Sequence, residues 1–421
     1  MSKRKIGYLG LSANIINTIV GAGIFTLPAL IAFGLGAASI FAYLFCGVLI
    51  TLVMLCFAEV GSKITDSGGV YAYIQNSFGP YLGFLTAVLF IISAIAADAA
   101  VTNAITEILS SIFPFFKPKT IKIIFSFVVF FGLGYLNIIG IKESIRFVKI
   151  ITIIKLIPLF LLILLSWKNI NIDYLTIETV PDFSQIGKMA LLLFFAFQGA
   201  ESALSISGEI KKPKKNIPKA IFISILGILI LYILIQTIAQ GILGNDLPNF
   251  TNNPLSQVAL KIAGPLGYTV LTMGAAMSML GYLSSESLGI PRVIQKAAKD
   301  NIIPIKKLTD IHQKYKTPYI SVLVYSSLAF LLSLVNSFQK LAILSSATIL
   351  LVYLGVSLAV LKLRKNKEQE FSEFKVPGGV VIPIISSIII ITLLCSLTRK
   401  ELVCLFTVVG ILSLLYYLKK R

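Results

Sequence analysis

Apolar runs of about 20 residues, the helix length that crosses roughly 30 Å of hydrocarbon, recur along the chain with short polar gaps between them. Twelve are read: 8–32, 34–61, 80–112, 120–139, 146–166, 184–208, 217–243, 265–290, 318–336, 340–361, 379–398 and 400–418. They lack the strict alternation of barrel strands, and lipid satisfies no backbone hydrogen bond, so each is predicted as an α-helix. The gaps are too short to hold a soluble domain of ordinary size.

Two runs are interrupted in the middle. The first carries Gly21-Ala22-Gly23, and the sixth carries Phe195-Ala196-Phe197-Gln198-Gly199-Ala200-Glu201. Glycine weakens a helix by about 1 kcal/mol relative to alanine and lets the backbone leave helical geometry. The interruptions, Gly21 and Gln198, lie 177 positions apart, close to the offset between the starts of runs one and six. Two repeats of five helices would have that spacing, and matched broken helices are the sequence pointer to the substrate site of an inverted-repeat transporter. Freed amides at a half-helix start attract an anion and freed carbonyls a cation. Together they suit an α-amino acid. Close helix packing is the alternative use of such small residues.

Composition agrees with a lipid-facing chain: of 421 residues 57% are apolar and 13% charged, about half the charged fraction of a soluble protein. The net charge of +19 would suit a nucleic-acid binder, but the basic residues sit in loops between apolar runs rather than on one face, so no nucleic-acid partner is expected. With both termini cytoplasmic, the inner segments hold 27 Lys and Arg and the outer ones 9, as the positive-inside rule requires for an even number of crossings. A cell (inner) membrane location follows. Lys3-Arg4-Lys5 before an apolar run has the outline of a signal peptide, but the run is long, contains Asn14 and Asn17 and shows no convincing cleavage site, so it is kept as a span. Cys46, Cys56, Cys395 and Cys404 lie within runs without metal-type spacing, so neither disulfide nor zinc is expected.

An enzyme is disfavoured. The single histidine, His312, rules out an HExxH pair and a Ser/His/Asp triad. There is no Walker A or GxSxG sequence either, and no cofactor is implied.

Around the interruptions the sequence resembles the amino acid-polyamine-organocation (APC) superfamily of permeases. Gly21-Ala22-Gly23-Ile24-Phe25 with Pro28 resembles the family's GxGIF and proline. Ala58-Glu59-Val60 and Gly68-Gly69-Val70-Tyr71-Ala72-Tyr73 look like its AEL and GGxYxY. Gly208 to Ala220 is similar to E-x-K-N-P-x-R-x-I-P-x-A, and Arg292 to Pro304 matches a basic stretch after span eight.

The resemblance implies an all-α integral membrane protein of twelve helices: a 5+5 inverted repeat of LeuT-like fold plus two peripheral helices. Its parts would be 1–166 (spans one to five), 167–362 (spans six to ten) and 363–421 (spans eleven and twelve). It implies alternating access around a site between spans one, three, six and eight, with Gly21, Ala22, Gly23, Ile24, Phe195, Ala196, Gln198 and Gly199 binding substrate and Phe195 closing over it.

Charges at lipid depth cost at least about 2.5 kcal/mol each, so they need partners or work to do. Lys155 lies mid-span, too far from either end to snorkel easily. In proton-coupled relatives a lysine at this point stands where sodium binds in others, which makes Lys155 the expected proton-coupling group, contacting a carbonyl near Gly21. Reversible protonation is reasonable for an amine taken out of water. Ser278 or Ser285 in span eight is expected to meet that amine. Glu201 is expected as a gate or proton-sensing carboxylate, with hydrogen bonding to freed amides as the structural alternative. Asp98 and Glu286 align, without gaps, with pocket positions of the arginine/agmatine branch. If both face the pocket they favour lysine, arginine or ornithine, and the alternative is pairing with Lys155 or protonation.

The expected function is thus secondary transport of amino acids, by proton-coupled uptake leaning to cationic substrates. The alternatives are an amino acid/polyamine exchanger, a neutral amino acid permease and a non-transporting sensor. The expected partners are an amino acid, protons and the bilayer, in a monomer or homodimer.

Overall fold

The computed structural model describes residues 6–63, 69–140, 145–177, 180–204, 210–335, 337–365 and 374–420. Lys3, Arg4, Lys5, Gly68, Lys142, Gly208, Glu209, Lys367 and Arg421 lie outside the described residues, as do the side chains of Lys63, Arg146, Lys149, Lys214, Lys419 and Lys420.

The apolar runs are helical. In chain order the elements are α1 (Tyr8–Ile19), α2 (Ala22–Leu35), α3 (Ser39–Lys63), α4 (Val70–Phe78), α5 (Pro80–Ser110), α6 (Lys119–Ile138), α7 (Ile145–Ser166), α8 (Phe183–Leu193), α9 (Ala200–Leu204), α10 (Pro213–Leu243), α11 (Pro254–Lys299), α12 (Tyr319–Ser333), α13 (Phe338–Lys365), α14 (Val381–Cys395) and α15 (Arg399–Lys420). Among the described residues eight helical stretches are long and apolar enough to cross a bilayer, and the shorter α12 and α14 are apolar as well. The chain is a multi-pass membrane protein.

Three departures from the predicted runs matter. The first run is two helices, α1 and α2, separated at Val20 and Gly21. The sixth is α8, a 3-10 turn over Phe194–Phe197 and the short α9. Run eight continues to Lys299, and Gly264 at φ +66° puts a kink just before its predicted start. A glycine there lets the chain turn without a Cβ clash.

Burial sorts the helices into a core and a rim. The most apolar window of α5 is 89% buried, whereas that of α15 is 6% buried. α5 packs against α11, α12 and α13, and α10 packs against α1 and α3. On the basic side of the protein, Ile6 forms a parallel bridge with Ile210, anchoring the chain before α1 to the start of α10. On the same side Tyr71 donates to Asp300 Oδ2 at 2.8 Å. Burial and that carboxylate push the Tyr71 phenol up, so it stays a donor at neutral pH. Glu59, buried at the end of α3, accepts from Arg364 Nε at 2.8 Å, from Arg364 Nη2, and from the Val376 amide at 2.8 Å. This clasp ties α3 to the end of α13.

Candidate functional site

The two interruptions lie directly against each other. A Cβ placed on Gly23 would sit 2.6 Å from the Ala196 Cβ, and one on Gly199 would sit 2.6 Å from the Thr18 carbonyl oxygen. Only glycine permits that approach, and Gly199 also holds φ +117°, a conformation that L side chains rarely adopt. The unwound stretch is shorter than the sequence implies. Val20 and Gly21 separate α1 from α2, and Gln198 and Gly199 precede α9. Ala22, Gly23, Ala200 and Glu201 are already helical.

Most of the groups freed by the breaks have partners. Tyr232 on α10 donates toward both freed carbonyls, at 2.9 Å to Ala196 and 3.3 Å to Ile19. The Gly199 amide donates to both Glu201 oxygens at 3.1 Å, and Tyr353 donates to Glu201 Oε2 at 2.5 Å. Glu201 thus makes the hydrogen bond to a freed amide that was its structural alternative. The start of α2 differs. Its N-cap is Gly21, with no side-chain capping bond, and first-turn amides have no partner within a helix.

A small cavity of about 20 Å³ lies at this point, lined by Thr18, Ile19, Gly21, Ala22, Gly23, Ala97, Val101, Phe195, Gln198 and Tyr282. That is room for about one water molecule. Five of the expected binding residues, Gly21, Ala22, Gly23, Phe195 and Gln198, are in its wall. Phe195 packs edge-on against Phe338 at the start of α13, with ring centres 5.3 Å apart. Gln198 spans to α13, donating to Ser346 Oγ at 2.9 Å and accepting from Ser345 Oγ at 2.7 Å. Ile24 is buried beside the wall and does not line it, while Ala196 and Gly199 form the contact between the breaks. A groove of about 740 Å³ is larger, but it runs along residues 32–38 and 173–185 and includes no expected site residue.

Lys155 is 3% exposed and donates to Asn17 O at 2.8 Å and Asn17 Oδ1 at 3.1 Å. The carbonyl it meets is therefore in the last turn of α1, one turn before Gly21. There the α-helix is ending and its carbonyls are losing their partners. Asn17 Nδ2 in turn donates to Ser285 Oγ at 3.1 Å. Ser285 is linked to the amine through Asn17, and the Ser278 hydroxyl is buried without a hydrogen-bond partner among the described residues.

Neither Asp98 nor Glu286 is among the residues lining this small cavity. Asp98 Oδ2 accepts from Tyr325 on α12 at 2.5 Å, and the same carboxylate also meets the phenol of Tyr282, which lines the cavity from α11. Helical geometry accounts for this: Ala97 and Val101, four apart on one face of α5, meet the cavity, so Asp98, about 100° away from Ala97, faces α12. Glu286 meets Ser202 at 3.5 Å and lies close enough to Asp98 and Glu201 to sense their charges.

The sequence reading left out Asn17 as a ligand, and it left out Tyr232, Tyr282, Tyr325 and Tyr353. Asn17 was visible as a polar residue in an apolar run. The tyrosines had no such signal, because an aromatic in a span is ordinarily packing and their acceptors lie far away in the sequence.

Comparison with known proteins gives a consistent picture. A sequence profile described as amino acid permease matches residues 6–413. The chain is 30% identical to the serine/threonine exchanger SteT of Bacillus subtilis, covering 91% of this chain and 89% of that protein. It is 26% identical to the branched-chain amino acid permease BcaP of the same organism, covering 100% and 93%. Against an arginine/ornithine antiporter of Pseudomonas aeruginosa it is 29% identical, covering 72% and 65%.

Proposed function

The chain belongs to the amino acid permease family, and from that premise we propose that it is a secondary transporter that carries an α-amino acid across the cell membrane by alternating access. The observation that carries this reading is the close apposition of the two helix breaks beside a cavity walled by both. The uncapped start of α2 offers amides to the substrate carboxylate. The wall contributed by Thr18, Ile19 and Phe195 offers backbone carbonyls to the ammonium. Phe195, backed by Phe338, closes over the bound molecule. In this reading the chain makes twelve crossings with both termini cytoplasmic. The two inverted repeats are 1–166 and 167–362, followed by peripheral helices in 363–421, in a monomer or homodimer.

Lys155 couples transport to protons. Its amine grips the end of α1 through Asn17, so gain or loss of its proton changes the strength of a contact between α7 and the half-helix next to the substrate. Charge-assisted hydrogen bonds are roughly twice as strong as neutral ones. Protonation from the outside then favours the arrangement that holds substrate, and deprotonation inside releases it.

The substrate class follows from the wall. Ala22, Gly23, Ala97 and Val101 are small and uncharged, and no carboxylate is among the lining residues, which supports a small neutral side chain. A cationic substrate is the second reading, favoured by Asp98, whose carboxylate lies directly behind the wall residue Tyr282, and by Glu286 close to it. Exchange is the alternative mode of transport, in keeping with the exchanger and the antiporter among the relatives.

Proteoliposome uptake tests all three points. A panel of serine, threonine, valine, lysine and arginine is offered with and without an imposed inward proton gradient, and with and without internal amino acid. Gradient-driven accumulation of a neutral substrate into empty vesicles is expected. Flux only into preloaded vesicles refutes symport, and binding without flux refutes transport.

A further inference from the structure

At the basic end of the protein the peripheral α15 leans on the first turns of α5. Tyr81 and Ser413 share a hydrogen bond at 2.8 Å, and Tyr416 packs against Tyr81 and Phe84 with ring centres 5.2 and 5.4 Å apart. Below this contact the chain leaving α11 passes close by. It leaves a groove of about 720 Å³ lined by Phe84, Ile303, Ile305, Leu412, Leu415 and Tyr416, among others. The volume is that of an ordinary small-molecule pocket, and the wall is mainly apolar, with Asn301 and Tyr416 as its polar members.

Two features set this groove apart from ordinary lipid-facing surface. The amides of its floor are already satisfied: those of Ile302 and Ile303 donate to Ala297 O at 2.9 and 3.1 Å, and that of Ile305 donates to Ile303 O at 2.9 Å. Its rim is basic. Lys299, Lys306 and Lys307 are exposed on either side of the 301–305 segment and form no ion pair among the described residues. Of the nearby acids, Asp300 is already engaged by Lys296 at 2.6 Å and by Tyr71, and Asp310, whose amide donates to Lys307 O at 3.2 Å, forms no ion pair with these lysines among the described residues.

An apolar slot opening beside unpaired lysines, at the end of a helix that is otherwise lipid-exposed, matches one chemistry: an acyl chain joined to an anionic head. We infer that the groove between α5, α15 and residues 301–305 is a specific site for an anionic phospholipid of the leaflet on the basic side. One acyl chain lies along Phe84, Ile303 and Leu415, and the phosphate meets Lys306 and Lys307. Juxtamembrane lysines are drawn to an anionic lipid surface, and the apolar slot adds the area buried by the chain. The site is remote from the helix breaks, so it does not depend on the transport reading.

Native mass spectrometry of the full chain, released from detergent after titration with phosphatidylglycerol or phosphatidylethanolamine of equal chain length, tests the inference. Wild-type protein is expected to retain one phosphatidylglycerol at least fivefold better than phosphatidylethanolamine and to unfold at a higher temperature with it bound. The double variant Lys306→Gln with Lys307→Gln is expected to lose the head-group preference while keeping wild-type unfolding in lipid-free detergent. Leu415→Trp, which fills an exposed part of the slot, is expected to lose retention of both lipids. Equal retention of the two lipids by the wild type overturns the inference, as does an unchanged preference in the lysine variant. So does a dimer in light scattering that Leu415→Trp abolishes, since a second copy of the chain would then be the occupant.

Discussion

Gly199→Ala probes the apposition of the breaks directly. The added Cβ would meet Thr18 O at 2.6 Å and Thr18 C at 2.8 Å. Both are backbone atoms, so no side-chain rotation relieves the contact. The residue also keeps φ +117°, where strain for a non-glycine residue is about 1 to 3 kcal/mol. Overpacking in a close-packed interior adds about 1 to 3 kcal/mol. Together they predict a loss of about 2 to 6 kcal/mol, or relief by separation of α9 from α1, which takes the two walls of the cavity apart. Gly227→Ala is the matched control. It lies within α10 with nothing within 4 Å of its added Cβ, and alanine there is expected to be neutral or stabilising by up to about 1 kcal/mol. Thermal unfolding in detergent and uptake into proteoliposomes read both effects. At about 2 to 4 °C per kcal/mol for a large domain, Gly199→Ala should lower the midpoint by about 4 °C or more and abolish uptake, with Gly227→Ala at or above wild type. Wild-type unfolding and wild-type uptake in Gly199→Ala would refute the claim that the breaks touch.

Lys155→Ala is expected to keep substrate binding in a thermal-shift assay but lose acceleration by an imposed pH gradient; accumulation that still follows the gradient rules out the coupling role. Tyr232→Phe leaves the carbonyls of Ile19 and Ala196 without their shared donor, at a cost of about 1 to 3 kcal/mol, measured as a lower unfolding midpoint. Glu59→Gln removes the charge from a carboxylate holding Arg364 and the Val376 amide. The cost is about 1.5 to 3 kcal/mol, and Arg364→Met should add little to it in the double variant if the two act as one unit. Asp98→Asn with Glu286→Gln should leave uptake of neutral substrates near wild type if neither carboxylate meets the substrate. Selective loss of lysine and arginine uptake would instead favour the cationic reading.

The sequence alone determined that the chain crosses a membrane repeatedly, and it located both interruptions, because hydrocarbon forces long apolar runs and glycine marks where a helix can open. It also singled out Lys155, since a charge at lipid depth stands out against an apolar run. Only the tertiary structure decided what these residues meet. The choice of Asn17 among the carbonyls near Gly21 depends on how α7 lies along α1, and Asp98 turns to Tyr325 because the Ala97 face of α5 is the one that meets the cavity. The phenols of Tyr232 and Tyr353 reach polar groups at the breaks across 36 and 152 positions of sequence. Periodicity reports which face of a helix is apolar. The partner of a buried polar atom is fixed by the docking of whole helices, which no local pattern records.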